Sequence, residues 1–176
     1  MTAAGGQAAL RSAAYRRLAE LFRYPGAAGS GGREADAGPI GSDYLQAFEP
    51  AVSERACSLR ESAHSSAARD AVHEDLVRFY GHFGLRRNED AELPDHLTVE
   101  LEFMHFLTHL EQRAQERGEP VADLRRAQRD FLQRHVQRLA QRVAAAYRAD
   151  NAYYRELIEE LHDFVDRDLQ RLEQHR

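Results

Sequence analysis

The residues best suited to chemistry lie in one short segment, LPDHLTVELEFMHFLTHLE, from Leu93 to Glu111. Asp95 and His96 open it and could form an acid–base pair. However, no nucleophile accompanies them, and neighbouring side chains need not point the same way. Asp95 can instead cap the helix that follows, because a short polar side chain there accepts a free backbone N–H. We therefore expect a helix N-terminus here rather than a hydrolytic site.

A second possible chemistry is metal binding. The sequence contains two Glu-x-x-His steps, Glu102–His105 and Glu159–His162. In ferritin-like bundles, two such steps and one glutamate from each of two other helices hold a di-iron site, and Glu20 and Glu74 could supply those. With 29 acidic residues and nine histidines, such spacings also arise by chance. A ferritin-like di-iron carboxylate protein is therefore kept as the alternative hypothesis.

These residues must be positioned by helices, because apolar residues recur at helical spacing along nearly the whole chain. Strand alternation and hairpin turns are not found. The expected helices run from about Leu10 to Tyr24, Asp43 to Phe48, Pro50 to about Ser62, Asp70 to Phe83, Asp95 to Gly118, Pro120 to about Arg148 with a kink, and Asp150 or Asn151 to Leu169. The fold class is therefore all-α, a bundle of about six or seven helices.

The length of 176 residues predicts a single domain covering 1–176. A glycine-rich stretch, 26–41, has no periodic face and is expected to be a flexible loop.

The single cysteine, Cys57, excludes an internal disulfide, and we expect it to lie in a helix as a packed thiol. The absence of a long apolar run and of a signal-peptide pattern predicts a cytoplasmic protein.

Charge is unevenly distributed along the chain. The segment 89–111 has seven acidic residues and no arginine, whereas 113–148 has nine arginines and four acidic residues. Two neighbouring helices could neutralise each other through surface pairs, each worth ~0–1 kcal/mol. Alternatively, the acidic segment could face an arginine-bearing partner. The net charge of −5 argues against general nucleic-acid binding.

Several motifs together resemble the TorD/DmsD/NarJ family of molybdoenzyme chaperones. The most specific is ELPDH, 92–96, followed by VELEFM, 99–104; weaker matches are YRRLAELFRYP, 15–25, LVRFYGHFG, 76–84, and Asp130-Phe-Leu with His135. The fuller match is similar to the delta-type chaperones encoded with ethylbenzene, dimethyl sulfide, selenate or chlorate enzymes. One departure is Leu139, where the family often has tryptophan.

The resemblance implies a dedicated cytoplasmic chaperone that is not an enzyme and needs no cofactor or metal. Such proteins bind the catalytic subunit of a molybdenum oxidoreductase, often at its twin-arginine signal peptide, until the molybdenum cofactor is inserted before export. An arginine-free acidic rim beside an apolar groove would suit that peptide. The expected contact residues are Asp95 and His96 from the motif, with Glu89, Asp90, Glu92 and Glu100 added on charge alone. A generic helical scaffold is the third hypothesis.

Overall fold

The computed structural model describes residues 3–25, 38–86 and 92–174. This part of the chain forms seven α-helices, which are α1 Ala3–Leu21, α2 Gly38–Phe48, α3 Arg69–His82, α4 Leu97–Glu116, α5 Ala122–Phe131, α6 Gln137–Ala146 and α7 Ala152–Gln174. It contains no strand, only an isolated bridge between Arg60 and His96. The all-α prediction is confirmed. None of the described helices is both long and apolar enough to span a bilayer.

The core is built around α4, which packs along the length of α1. Leu97, Leu101, Met104 and Leu107 of α4 are fully buried, as is Tyr15 of α1. The helix ends at Gly118, whose φ of 69° is readily adopted only by glycine. The Glu119 N–H then bonds the Ala114 carbonyl at 2.9 Å, as in a Schellman cap. The predicted end of this helix is confirmed.

The predicted kinked helix, Pro120 to Arg148, is α5 and α6 joined by one π-helical turn, Leu132–Val136. A π turn inserts one residue into the helical ladder and is frequent at functional sites. It contains His135, which is 3% exposed. The last helix begins as predicted, because Asn151 Oδ1 accepts from the Tyr154 N–H at 3.1 Å.

Two local predictions are wrong. The expected helix Pro50–Ser62 does not form; 50–60 consists of turns and extended backbone, and a 3-10 helix follows at Glu61–His64. Tertiary pairing overrides the helical pattern here, because the Leu59 carbonyl accepts from the Leu97 N–H and Glu61 N–H donates to the Asp95 carbonyl, both at 2.8 Å. Buried Cys57 therefore lies outside any helix.

The second wrong prediction concerns the glycine-rich loop. Its last residues, 38–41, belong to α2, while the remaining part, 26–37, lies outside the described residues.

Candidate partner-binding site

The Pro94-Asp95-His96 step is fixed on both sides before α4 begins. The extended segment 59–61 pairs with 95–97, and the Tyr80 hydroxyl donates to the Pro94 carbonyl at 2.8 Å.

The N-cap of α4 is His96, not Asp95, because His96 Nδ1 accepts from the Thr98 N–H at 3.3 Å. The prediction that Asp95 caps this helix is therefore wrong. To accept this bond, the imidazole nitrogen Nδ1 must be unprotonated.

Asp95 instead points away from α4 into a buried contact. It is 0% exposed, and its Oδ2 accepts from the Ser62 N–H at 3.1 Å and from the Ser62 hydroxyl at 2.5 Å. Its Oδ1 lies 2.9 Å from His73 Nε2. Burial alone would raise the pKa of Asp95, but the bonds from Ser62 and the proximity of His73 outweigh it and lower that pKa. Asp95 thus joins the 3-10 helix and α3 to the start of α4.

Glu100, on the first turn of α4, is also 0% exposed. Within the described residues, neither of its carboxyl oxygens has a hydrogen-bond partner. Burial, together with the nearby carboxyls of Glu61 and Asp95, raises the pKa of Glu100 well above its ordinary value. Its surroundings therefore favour the neutral acid.

His135 joins the π turn to the same region. Its Nδ1 lies 2.8 Å from Glu61 Oε2, and its Nε2 lies 3.2 Å from Asp75 Oδ2. Arg134 also contacts Asp75, at 2.5 Å. The family-like motifs at 92–96, 99–104 and 130–135 thus meet in one place. We call the connected side chains the acidic–histidine cluster, which comprises Glu61, His73, Asp75, Asp95, Glu100 and His135.

An apolar groove of about 370 Å³ lies on the outer side of these motifs, between α3 and α4. Its apolar lining is Val77, Tyr80, Leu85, Pro94, Val99, Phe103 and Phe106. Leu85 reaches it because Gly84, at a φ of 75°, reverses the chain after α3. Exposed Glu92 and Glu102 lie among the lining residues. Large apolar side chains such as Val77, 46% exposed, remain open to solvent here.

The rim of the groove differs from the expected arginine-free one. Arg86 also lines the groove, and the guanidinium of Arg23 holds the carboxylate of Glu102. Both arginines lie outside the 89–111 segment from which the rim was inferred. Arg86 stands just before this segment in the sequence, whereas Arg23 is brought to it by folding.

The predicted contact residues fall into three groups. Glu92 lines the groove, and His96 is partly buried as the helix cap. Asp95 and Glu100 are buried in the acidic–histidine cluster, so they are placed to shape this region rather than to lie on its surface. Glu89 and Asp90 lie outside the described residues.

Sequence reasoning quoted His135 within a motif without giving it a role, and it missed Glu61, His73, Asp75 and the apolar wall on α3. Of these, His73 and Asp75 lie within two helical turns before the Phe79-Tyr80 motif. Only their positions beside a recognised motif could have drawn attention to them.

The ligands required by the di-iron alternative do not converge. Glu102 faces Arg23, whereas His105 bonds the Ser12 hydroxyl through Nδ1 at 2.8 Å. His162 lies 3.7 Å from Asp166 on its own helix. Across 3–25, 38–86 and 92–174, no three His, Cys, Asp or Glu side chains are placed to share a metal ion. The alternative is therefore wrong for the described chain.

Comparison with known proteins gives the class to which this fold and site belong. Residues 6–145 match the family described as nitrate reductase delta subunit. The chain belongs to this family, which is the TorD/NarJ family indicated by its motifs.

Individual relatives are similar over about 70% of the chain. It is 36% identical over 133 residues to the selenate reductase assembly chaperone protein of Thauera selenatis, covering 69% of this chain and 68% of the relative. It is 37% identical over 137 residues to the dimethyl sulfide dehydrogenase assembly chaperone protein of Rhodovulum sulfidophilum, covering 70% and 55%. It is 33% identical over 136 residues to the chlorate reductase assembly chaperone protein of Ideonella dechloratans, covering 69% and 68%. The expected similarity to this group of chaperones is confirmed.

Proposed function

We propose that this protein is a dedicated assembly chaperone for a molybdenum oxidoreductase of the dimethyl sulfoxide reductase class. In this proposal it works in the cytoplasm, has no catalytic activity, and holds the catalytic subunit for insertion of the molybdenum cofactor before export. The names of its relatives support the general role. The observation that carries the binding mode is the open apolar groove with two carboxylates, formed by the same motifs that define the family.

The chemistry of the groove fits a twin-arginine signal peptide. The phenylalanines and aliphatic side chains of α3 and α4 would bury the apolar stretch of the peptide. Glu92 and Glu102 would pair with its arginines, since a guanidinium can form two parallel bonds to a carboxylate. Asp95 would act indirectly, because its bonds to Ser62 fix the backbone at Pro94, which lines the groove.

Titration calorimetry tests this binding mode. The probe is a synthetic peptide of about twenty residues, with two consecutive arginines followed by a leucine- and alanine-rich stretch, beside the same peptide with both arginines changed to glutamine. We expect the first to bind at least ~10-fold more tightly, because complementary charges add to apolar burial. Equal binding would contradict recognition by carboxylates, and binding of neither would contradict the signal-peptide mode.

A pair of variants locates the binding surface. Val77→Arg places a bulky cation in the groove, whereas Leu10→Arg makes the same change at an apolar residue of α1 that is 74% exposed and does not line the groove. We expect V77R to weaken binding of the arginine peptide at least ~10-fold, because the new side chain fills the groove and repels the peptide's arginines. The L10R variant should bind like the unmodified protein. Equal loss in both variants would place the peptide elsewhere.

A further inference from the structure

A salt bridge links the apolar groove to a second one. Glu102 lines the groove between α3 and α4, and its partner Arg23 lines a separate groove of about 600 Å³. This second groove lies where the end of α1 meets the starts of α2 and α7. Its apolar wall includes Tyr24, Ile40 and Tyr153. The two grooves therefore meet at the Arg23–Glu102 pair.

The second groove has the same chemical character as the first. Ile40 and Tyr153 are 65% and 55% exposed, which is high for large apolar side chains. Two carboxylates, Glu20 and Asp43, lie among them. Exposed aromatic rings beside carboxylates suit a guanidinium, which stacks on rings and pairs with carboxylates. A segment that is both apolar and arginine-rich would therefore fit a surface running across both grooves.

The bridge at the junction is easily broken. The side chains of Arg23 and Glu102 are 39% and 49% exposed, so water screens their attraction and the pair contributes little to stability. The contact is also chemically identical to the one proposed for a client, an arginine on Glu102. An incoming guanidinium can exchange with Arg23 without leaving a carboxylate unpaired.

We propose that Arg23 is an internal competitor for the client peptide, occupying Glu102 until an arginine of the peptide takes its place. This inference rests on the proposed function and adds a residue that sets affinity. Once Arg23 is displaced, the two grooves are continuous. One arginine of the peptide then pairs with Glu102, and the adjacent arginine of the peptide reaches the tyrosines and carboxylates of the second groove. A peptide that lacks arginines should bind weakly, because it cannot replace Arg23 on Glu102.

Calorimetry with the same two peptides tests the inference in two arginine variants. Arg23→Gln removes the competitor. The control, Arg17→Gln, removes an arginine of α1 that is more exposed than Arg23, is paired with Glu160 at 2.5 Å and lines neither groove. We expect R23Q to bind the arginine peptide about 1.5- to fivefold more tightly, the range that corresponds to an exposed ion pair. R17Q should match the unmodified protein. The gain should be absent with the glutamine peptide and should shrink at high salt.

A double-mutant cycle assigns the effect to Glu102. In a Glu102→Gln background, R23Q should give no gain, because the carboxylate for which the two arginines compete is gone. Unchanged or weaker binding by R23Q overturns the competitor role but leaves the chaperone proposal intact if the unmodified protein binds the arginine peptide. Binding of neither peptide by either variant overturns both. A gain of equal size in E102Q would show that Arg23 acts by general repulsion, and this too overturns the inference.

Discussion

Two buried polar regions of this molecule use the same kinds of side chain to opposite effect. The first centres on Arg11 of α1, which is 5% exposed and contacts three other helices. Its Nε lies 2.6 Å from Asp168 Oδ1 on α7, and its Nη1 lies 2.8 Å from Glu111 Oε2 on α4. Its Nη2 donates to Gln128 Oε1 on α5 at 2.6 Å. The second region is the acidic–histidine cluster beside the groove.

The two regions differ in the balance of their charges. Around Arg11, both buried carboxylates face arginines, and Arg125 adds a second bridge to Glu111 at 2.7 Å. Burial alone would raise the pKa values of Asp168 and Glu111, but these arginine contacts outweigh it and lower both. In the acidic–histidine cluster, four carboxyls share two histidines, and the one arginine contact, from Arg134 to Asp75, is half-exposed. There the pKa of Glu100 is raised.

The two regions are therefore suited to different roles, one structural and one functional. A balanced buried network holds helices in one arrangement, and leaving one member unpaired is costly. An unbalanced network costs stability, and buried groups with strongly shifted pKa values of this kind cluster at functional sites. The unbalanced cluster is the one that lies behind the proposed binding groove. Stability measurements on variants of each region test this contrast.

The largest effect is expected from Arg11→Met. This change leaves Asp168 and Glu111 partly uncompensated in the core, so the free energy of unfolding should fall by about 3–5 kcal/mol. Urea denaturation followed by circular dichroism measures it. Arg17→Met is the matched control on the same helix, because its partner Glu160 is exposed and the loss should stay below about 1 kcal/mol. A loss of similar size in both variants would show that burial of the network adds nothing.

The Arg11 network also shows where sequence reasoning ends. Local signals predicted the class of fold, the ends of α3 and α4 at glycines, and the start of α7 at Asp150 or Asn151, because each depends on neighbouring residues. Arg11 and Asp168 are 157 positions apart. Arg11 looks like one more charge on an amphipathic helix until folding brings three other helices around it.

The location of the candidate site was also predictable from local signals, but the roles of its residues were not. The motif at 92–96 identified the entry to α4, but the roles within it were exchanged. Asp95 fits the usual preference for helix caps, yet pairing of 59–61 with 95–97 turns its side chain toward Ser62. His96 then takes the capping position. Likewise the helical pattern of 50–62 is overridden by this pairing.

The next largest effect contrasts two isosteric changes in the acidic–histidine cluster. Asp95→Asn weakens the charge-assisted bonds from Ser62 and the contact with His73, so unfolding free energy at pH 7 should fall by about 2–3 kcal/mol. Glu100→Gln replaces a group already favoured as the neutral acid, so its effect should lie within about 1 kcal/mol or be stabilising. A large loss for E100Q would show that Glu100 is ionised and paired.

The same two variants should respond to pH with opposite sign. Because folding raises the pKa of Glu100 from about 4.5, stability is lost as pH rises above that value toward the folded-state pKa. The advantage of E100Q over the unmodified protein should therefore grow between pH 4 and 8. Because folding lowers the pKa of Asp95 from about 3.8, its contribution is lost as pH falls below that value, and the deficit of D95N should shrink there.

The smallest effect is expected at His96, where capping and partner contact can be separated. His96→Ala removes the acceptor for the Thr98 N–H and should lower unfolding free energy by about 1 kcal/mol. His96→Asn supplies a side-chain oxygen suited to the same position and should restore most of that loss. Burial lowers the pKa of His96 from about 6.5, so the unmodified protein should lose stability relative to H96N as pH falls below 6.5 toward the folded-state pKa.

The affinity of these two His96 variants for the arginine peptide then identifies the role of His96 in binding. If H96N binds the arginine peptide as well as the unmodified protein does, the histidine acts on the site only by fixing the start of α4. If stability returns but affinity does not, the imidazole itself contacts the peptide, as the motif suggested. The Pro94 and Val99 side chains flank this turn and line the groove. A frayed first turn in H96A should therefore weaken binding even if the imidazole never touches the peptide, and only H96N distinguishes the two roles.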